Sequence, residues 1–422
     1  MFNKGNSKNI DTIAVVDIGS SKIACLIGQR EPSLGIKIIG SGISVSQGLK
    51  CGAVVDMEAA EKGIRSAVAY AEKKASVTVQ SVHVNVAIKS IRSKNLSVQT
   101  EFATGIVNDG SCKRVLDYSL AEISQPENTI LHAIPLNWSV DDERGILDPR
   151  GMFGNRLGVD MHCVTAGIGP LRNLAHCVER SHLNMSTVMV SPYAAGIGVL
   201  TSDERDLGVA LIDMGGGITT VSIFHDNNLI NVDALPIGGK NVTLDIARGL
   251  TTPLEAAERI KRVYGSALHG SDDDSVMIPC PPMGAQDELS YHPHELLTSI
   301  IRSRVEETFE ILKEKIWNSG QEVNFRRIVL TGGGSQLNGV RELAEYVFNK
   351  KVRIGLPHGV MGLSEATSEP EFSVVVGLLK HAFDEAGEAI SGPPDLSGQK
   401  YRKKRYIGNP LGKALYWLKE NF

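Results

Sequence analysis

Long hydrophobic runs are missing from this chain of 422 residues. None approaches the ~18 apolar residues that a membrane-spanning helix needs. The first ten residues are polar with no apolar stretch behind them, so no secretory signal is expected. The six cysteines are scattered without a C-x-x-C pair. That argues against a disulfide framework or a thiolate zinc site and suits a reducing cytosol. His162 beside Cys163, and His292 and His294 around a proline, read as accidents of composition, so no metal cluster is expected there. A Walker lysine pattern is also missing, which removes the P-loop class.

Charge of one sign is scarce only at the C-terminus. The formal net charge is -4, yet residues 400–422 hold seven basic residues and the single acid Glu420. The body of the chain is therefore acidic and its tail basic. This points to an anionic partner at one end and disfavours a nucleic-acid binder. The 42% apolar content is ample for real cores, and the length predicts two to four domains.

The informative stretch is "GVALIDMGGGITTVSIF", residues 208–224. An apolar run ends in Asp213, and Gly215, Gly216 and Gly217 follow. A dinucleotide fingerprint requires a helix after its glycines, because the helix N-terminus holds the pyrophosphate. Here β-formers follow instead, from Ile218 through Thr219 to Ile223, so the pattern predicts a hairpin. "IAVVDIGSSKIACLIG", residues 13–28, overlays it at a separation of 196 positions. Asp17 falls on Asp213, Gly19 on Gly215 and Ser21 on Gly217, with Ser20 and Lys22 completing the first turn. A repeat at this distance indicates duplicated domains. A bland alternative is two structural turns. Two matched copies, each with an aspartate before the turn, favour paired hairpins whose backbone N–H groups grip one polyphosphate from both sides. Asp17 and Asp213 would then sit beside Mg²⁺, which keeps several waters and needs few direct protein ligands.

The remaining pattern is mixed α/β. Helical spacing covers residues 57–74, 171–181, 192–200, 252–264, 296–317 and 339–349, and strand alternation covers 77–88. Pro253 suits the first turn of its helix. Residues 270–289 read as an acidic, proline-rich loop, and 384–399 as a flexible linker. "AAERIKR" puts Glu258, Lys261 and Arg262 on one helical face, which alone reads as a solvated charged face with an intrahelical ion pair. "LPIGGKN" adds a glycine turn at Gly239, and "VLTGGGSQLNGV" adds a strand, the turn Gly332, Gly333 and Gly334, and a helix.

In the tail, Asn409 is a good N-cap and Pro410 a good first helical residue. Leu411, Leu415, Leu418 and Phe422 form one apolar stripe, widened by Ala414 and Trp417. The basic cluster Arg402, Lys403, Lys404 and Arg405 lies just upstream. This matches an amphipathic helix in a membrane interface. Each basic residue near an anionic leaflet contributes on the order of 1 kcal/mol. A terminal helix docked on its own domain or on another protein is the alternative.

The two Asp-Gly hairpins, the "AERIKR" helix and the "TGGG" turn resemble the actin/Hsp70/sugar-kinase ATPase superfamily. The segment "ILHAIPLNWSVDDERGILDPRGMFGNRLGVDMHCVT", residues 130–165, is similar to the insertion found in its bacterial cell-division members. The resemblance implies an α/β, actin-like (ribonuclease H-like) duplicated two-lobed fold. The first lobe core would comprise residues 10–82, 167–203 and 371–385, and the inserted subdomain residues 83–166. The second lobe core would comprise 204–239 and 296–370, and the capping subdomain 240–295. A linker, 386–408, and a membrane-targeting helix, 409–422, would follow. Asp17 to Lys22 and Asp213 to Thr219 would be the phosphate loops. Glu258, Lys261, Arg262 and the 332–334 turn would frame the ribose and adenine of ATP.

The resemblance also implies an ATP–Mg²⁺-binding, filament-forming scaffold in bacterial cytokinesis. It would lie at the septum on the cytoplasmic face of the inner membrane, bind the C-terminal tail of the tubulin-like protein FtsZ through the capping subdomain, bind itself, and recruit later division proteins. In related ATPases a glutamate precedes the proline of an "EP-x-AA" run. The similar run here is "SPYAAGIG", with Ser191 in that place. A serine is a poor base at neutral pH, so slow or undetectable hydrolysis is expected. A pilus-assembly actin-like protein of the PilM type would share the cleft and insertion but lack the basic tail helix.

Overall fold

A computed structural model describes residues 12–31, 35–102, 105–270, 275–284, 288–319, 325–384 and Leu396. Two five-stranded sheets dominate, and they have the same topology. In the first, strand Thr12–Ile18 turns back into Lys22–Glu31, which pairs with Gly35–Val45. On its other side, Thr12–Ile18 runs parallel to Ser81–Val86, which in turn runs parallel to Asn184–Val190. In the second, Val209–Met214, Thr219–His225 and Asn228–Leu235 form the antiparallel meander. Arg327–Thr331 and Lys351–Ile354 supply the parallel strands. The repeated hairpins even share register: Asp17 lies opposite Ala24, and Asp213 opposite Thr220. Both first strands are nearly continuous apolar runs because layers cover both of their faces.

Each sheet is buried by helices. Helix Met57–Ala75 turns a stripe of Ala60, Gly63, Ile64, Ala67, Val68 and Ala71 onto the first sheet. Its start is capped by Asp56, whose carboxylate accepts from Ala59 N at 3.1 Å. On the second sheet, Ala210, Ile212, Val221 and Leu330 pack against helices Gly239–Gly249, His294–Asn318 and Val340–Phe348. The opposite face of that sheet, with Leu211, Phe224 and Val329, joins the first core.

Between the two sheets lies a pair of helices, Ser191–Val199 and Ser373–Phe383, which cross with backbone against backbone. A Cβ at Gly377 would lie 1.7 Å from the Ala194 carbonyl oxygen, and one at Gly198 would lie 2.3 Å from that of Ser373. Only glycine permits such an approach.

A third sheet, ordered Arg92–Glu101, Arg156–Gly167, Asn128–Val140 and Glu143–Ile146, carries helix Asp109–Ile123 and a core of its own around Leu116, Leu120, Leu157 and Met161. It is tied to strand Asn228–Leu235 of the second sheet. Ser93 Oγ donates to Asn231 Oδ1 at 2.9 Å, and Asn95 Nδ2 donates to the Ile230 carbonyl at 3.1 Å.

Several expectations shift. The alternation expected over 77–88 narrows to Ser81–Val86, and that strand belongs to the first sheet. A boundary at 83 would cut it, because pairing to Thr12–Ile18 and Asn184–Val190 holds it there. The helix expected from 252 begins at Leu254, so Pro253 is its N-cap and lies just before its first turn. The expected loop at 270–289 contains strand Met277–Cys280, paired with Ser290–Pro293. Its alternation buries Ile278 and Cys280, a pattern too short to stand out among prolines and acids. The tail helix and the basic cluster Arg402 to Arg405 lie outside the described residues, as does the linker apart from Leu396. The Leu396 carbonyl accepts from Arg172 Nε at 2.7 Å.

Candidate functional site

The two hairpin turns meet face to face. A Cβ built on Gly216 would sit 1.8 Å from Ser21 Oγ, and one on Gly217 would sit 2.9 Å from Ser20 Oγ. Each turn is closed by the same bond, Gly19 N to the Lys22 carbonyl at 3.1 Å and Gly215 N to that of Ile218 at 3.0 Å. Beside the second turn, helix Gly239–Gly249 begins against it. Gly239 N donates to the Gly215 carbonyl at 3.0 Å and Lys240 N to that of Gly216 at 2.8 Å. Thr219 Oγ1 fastens the same corner by donating to the Ile237 carbonyl at 2.7 Å.

Asp17 and Asp213 lie under these turns. Burial pushes the Asp17 carboxyl up to about 6, against the attraction of Lys22 and a hydrogen bond from Asn85. Burial also pushes Asp213 up to about 7, and the neighbouring Asp17 charge adds to it. Lys22 is held below the usual ammonium range, first by burial. Its Nζ lies 2.9 Å from Glu371 Oε1 and 3.3 Å from the centroid of the Phe372 ring. Thr220, opposite Asp213, is fully buried, and its Oγ1 has no hydrogen-bond partner. The floor is thus short of positive charge and retains an unused hydroxyl. That is what two carboxylates beside a hydrated Mg²⁺ would leave behind. Among the described residues no group of three or more His, Cys, Asp or Glu could hold a metal, so a cation here would rely on water and ligand oxygens.

Asn85 organises the floor. Its Oδ1 accepts from Ile18 N at 2.6 Å, and its Nδ2 donates to Asp17 Oδ1 at 2.6 Å and to Ser191 Oγ at 3.0 Å. Ser191, the first residue of helix Ser191–Val199, is therefore joined to Asp17 through one amide.

The second lobe adds a further wall. Lys261 Nζ donates to Glu258 Oε2 at 2.6 Å, to Thr243 Oγ1 at 2.8 Å and to the Gly239 carbonyl at 3.1 Å. The intrahelical ion pair exists, with the Lys261 ammonium turned inward onto helix Gly239–Gly249 and the Glu258 side chain still half-exposed. Gly332, at φ 81°, leaves Strand Arg327–Thr331 so close to Asp213 that a Cβ would lie 2.2 Å from Oδ1. Gly333 faces Glu371, and Gly334 packs on Met214. Arg262 is exposed beside Lys261.

The chain is 40% identical to the cell division protein FtsA of Rhizobium meliloti (strain 1021), over 99% of its own length and 96% of the relative's. It belongs to the FtsA family. The family model "Cell division protein FtsA" matches residues 210–377, and "SHS2 domain inserted in FTSA" matches residues 89–165. FtsA of Escherichia coli (strain K12) is 30% identical, with 96% of this chain and 97% of that one covered. Among solved structures, the PilM-PilN type IV pilus biogenesis complex aligns with a TM-score of 0.63 at 17% identity, covering 87% of this chain and 98% of that one. MreB5 of Spiroplasma citri bound to ADP aligns with a TM-score of 0.53 at 12% identity, covering 89% and 99%. The fold is actin-like, and membership of the FtsA family places the chain in bacterial cell division. No helix among the described residues is long and apolar enough to cross a membrane.

The structure therefore brings Asp17, Lys22, Asp213, the 215–217 and 332–334 turns, Gly239, Glu258 and Lys261 into one cleft. Sequence reasoning missed Asn85, Thr220, Lys240 and Glu371. For Asn85 the local signal was weak: it shares the polar positions of the alternating "VHVNV" with His83, and its burial is what makes it informative. Glu371 reaches the cleft from a 3₁₀ turn, Pro370–Phe372, and its sequence carries no motif.

Proposed function

We propose that this FtsA-family chain binds ATP with Mg²⁺ between the two hairpins and uses the closed cleft to assemble actin-like filaments that tether the FtsZ ring to the membrane. The supporting observation is the pair of acid-tipped turns in contact with one another. Backbone amides within the turns 20–21 and 216–217 would line the phosphates, with Thr219 and Gly239 supporting the second turn. Mg²⁺ would supply the positive charge that the buried Asp17 and Asp213 lack. Glu258, Lys261, Arg262 and the 332–334 turn would hold the sugar and base.

Ser191 cannot act as a general base at neutral pH, and the amide of Asn85, its partner, cannot either, so turnover is slow. The subdomain division read from the sequence stands in this proposal with the inserted unit beginning after Val86. A closed cleft fixes the lobes in one geometry, and head-to-tail contacts then give open filaments. Polymerisation multiplies tail anchors by avidity. The tail residues Leu411, Leu415, Trp417, Leu418 and Phe422 would be the anchor at the cytoplasmic face of the inner membrane. The capping subdomain would receive the FtsZ tail, and later division proteins would join the assembly.

Co-sedimentation with anionic liposomes tests this reading, with ATP, ADP or no nucleotide, and with residues 411–422 present or deleted. ATP-dependent filaments on vesicles that vanish with the deletion are expected. Liposome binding that survives the deletion would overturn the anchor, and calorimetry without nucleotide binding would overturn the cleft.

A further inference from the structure

One cation spans the two turns, and neither motif contains it. Lys240 is the second residue of helix Gly239–Gly249, and its N–H is fixed on the Gly216 carbonyl of the second turn. Its side chain crosses to the first turn, where Nζ donates to the Ser20 carbonyl at 2.6 Å. Backbone and side chain of one residue thus connect both halves of the cleft. The same spot is where Gly216 and Gly217 abut Ser21 and Ser20.

We propose that Lys240 binds the terminal phosphate of the nucleoside triphosphate and so distinguishes it from the diphosphate. This rests on the cleft being a nucleotide site. In the proposed function Lys261 and Glu258 hold the sugar, and Lys261 Nζ lies on the Gly239 carbonyl. The phosphates would then run toward the turns, and the terminal one would be the group nearest the Ser20 carbonyl, where Lys240 Nζ lies. A neutral carbonyl is a modest partner for an ammonium, whereas a phosphate oxygen makes a charge-assisted bond of about twice the strength. Lys240 is solvent-exposed, so its ammonium exchanges one partner for the other without a buried charge being stranded. An ammonium has three donors, and a carbonyl occupies one, which leaves two for phosphate oxygens while the link to Ser20 persists. Lys240 would then hold the lobes together most firmly when the third phosphate is present.

The test is fluorescence titration of the full chain with Mg²⁺ and labelled ADP or a labelled non-hydrolysable ATP analogue. Lys240→Met is expected to weaken the triphosphate analogue by about 10- to 100-fold, as befits one lost charged hydrogen bond. ADP affinity should remain nearly unchanged, and Lys240→Arg should recover part of the loss. Equal weakening of both nucleotides would show a merely structural strut and overturn the proposal, as would no change in either. Should K240M fail to fold by circular dichroism, K240Q and K240R carry the same comparison. A wild-type chain that binds neither nucleotide overturns the cleft itself, whereas binding without discrimination at Lys240 overturns only this assignment.

Discussion

Replacing Asn85 with alanine should destabilise the first lobe far more than the loss of one small side chain suggests. Asn85 is 3% exposed and makes three hydrogen bonds, to Ile18 N, Asp17 Oδ1 and Ser191 Oγ. Water cannot easily replace them at that depth. A buried polar group left unpaired costs about 1–3 kcal/mol, so three of them cost at least about 3 kcal/mol. For a folding unit of the size of one lobe, each kcal/mol lowers the melting temperature by roughly 2–4 °C, which gives a fall of about 6–12 °C. The loss should grow with pH. The hydrogen bond from Asn85 favours the ionised form of Asp17, so without it that carboxyl rises further above about 6. At pH 8 the variant must bury a charge with one partner fewer, whereas at pH 4.5 the group is protonated in the fold. Thermal unfolding followed by circular dichroism at the two pH values measures both effects. If N85A melts together with the wild type, or its deficit is the same at both pH values, the assignment of Asn85 as the keystone of the floor is wrong.

Two further outcomes are expected. Asp213→Asn should match the wild type near pH 4 and become progressively more stable than it up to about pH 7. The folded carboxyl, raised to about 7, stabilises the fold at low pH, and that contribution is lost as pH rises through this value; a difference in nucleotide-free melting temperature that does not vary with pH would refute it. Ser191→Glu should raise phosphate release by about 10-fold or more, because it places a carboxylate at the helix start joined to Asp17 through Asn85. A phosphate-release assay that shows no increase with nucleotide still bound would exclude position 191 as the point where turnover is limited.

The duplication was readable because it is written locally. An apolar strand, an aspartate, small residues and a second strand recur with the same spacing, and both copies fold into hairpins with the same register. Long amphipathic helices such as Met57–Ala75 and His294–Asn318 declared themselves by periodicity. What stayed hidden depends on contacts between segments far apart in the chain. Asn85 reaches Asp17 across 68 positions, Glu371 reaches Lys22 from the other end of the lobe, and Lys240 reaches Ser20 across 220 positions. No local spacing encodes such meetings. The helix carrying Glu258 and Lys261 shows the opposite limit: its ion pair was legible, but its inward aim depends on Gly239 and Thr243, which belong to another helix.

The crossing of helices Ser191–Val199 and Ser373–Phe383 has a mechanical consequence. Gly198 and Gly377 each rest on a carbonyl oxygen of the other helix, with no side chain between them. Such a contact resists translation, because any slip drives one backbone into the other. The two helices therefore act as one platform of the first lobe, and the second sheet rests on it where Ser222 Oγ donates to the Pro192 carbonyl at 3.2 Å. Turning of one sheet against the other should be greatest at the rim and least beside Ser191.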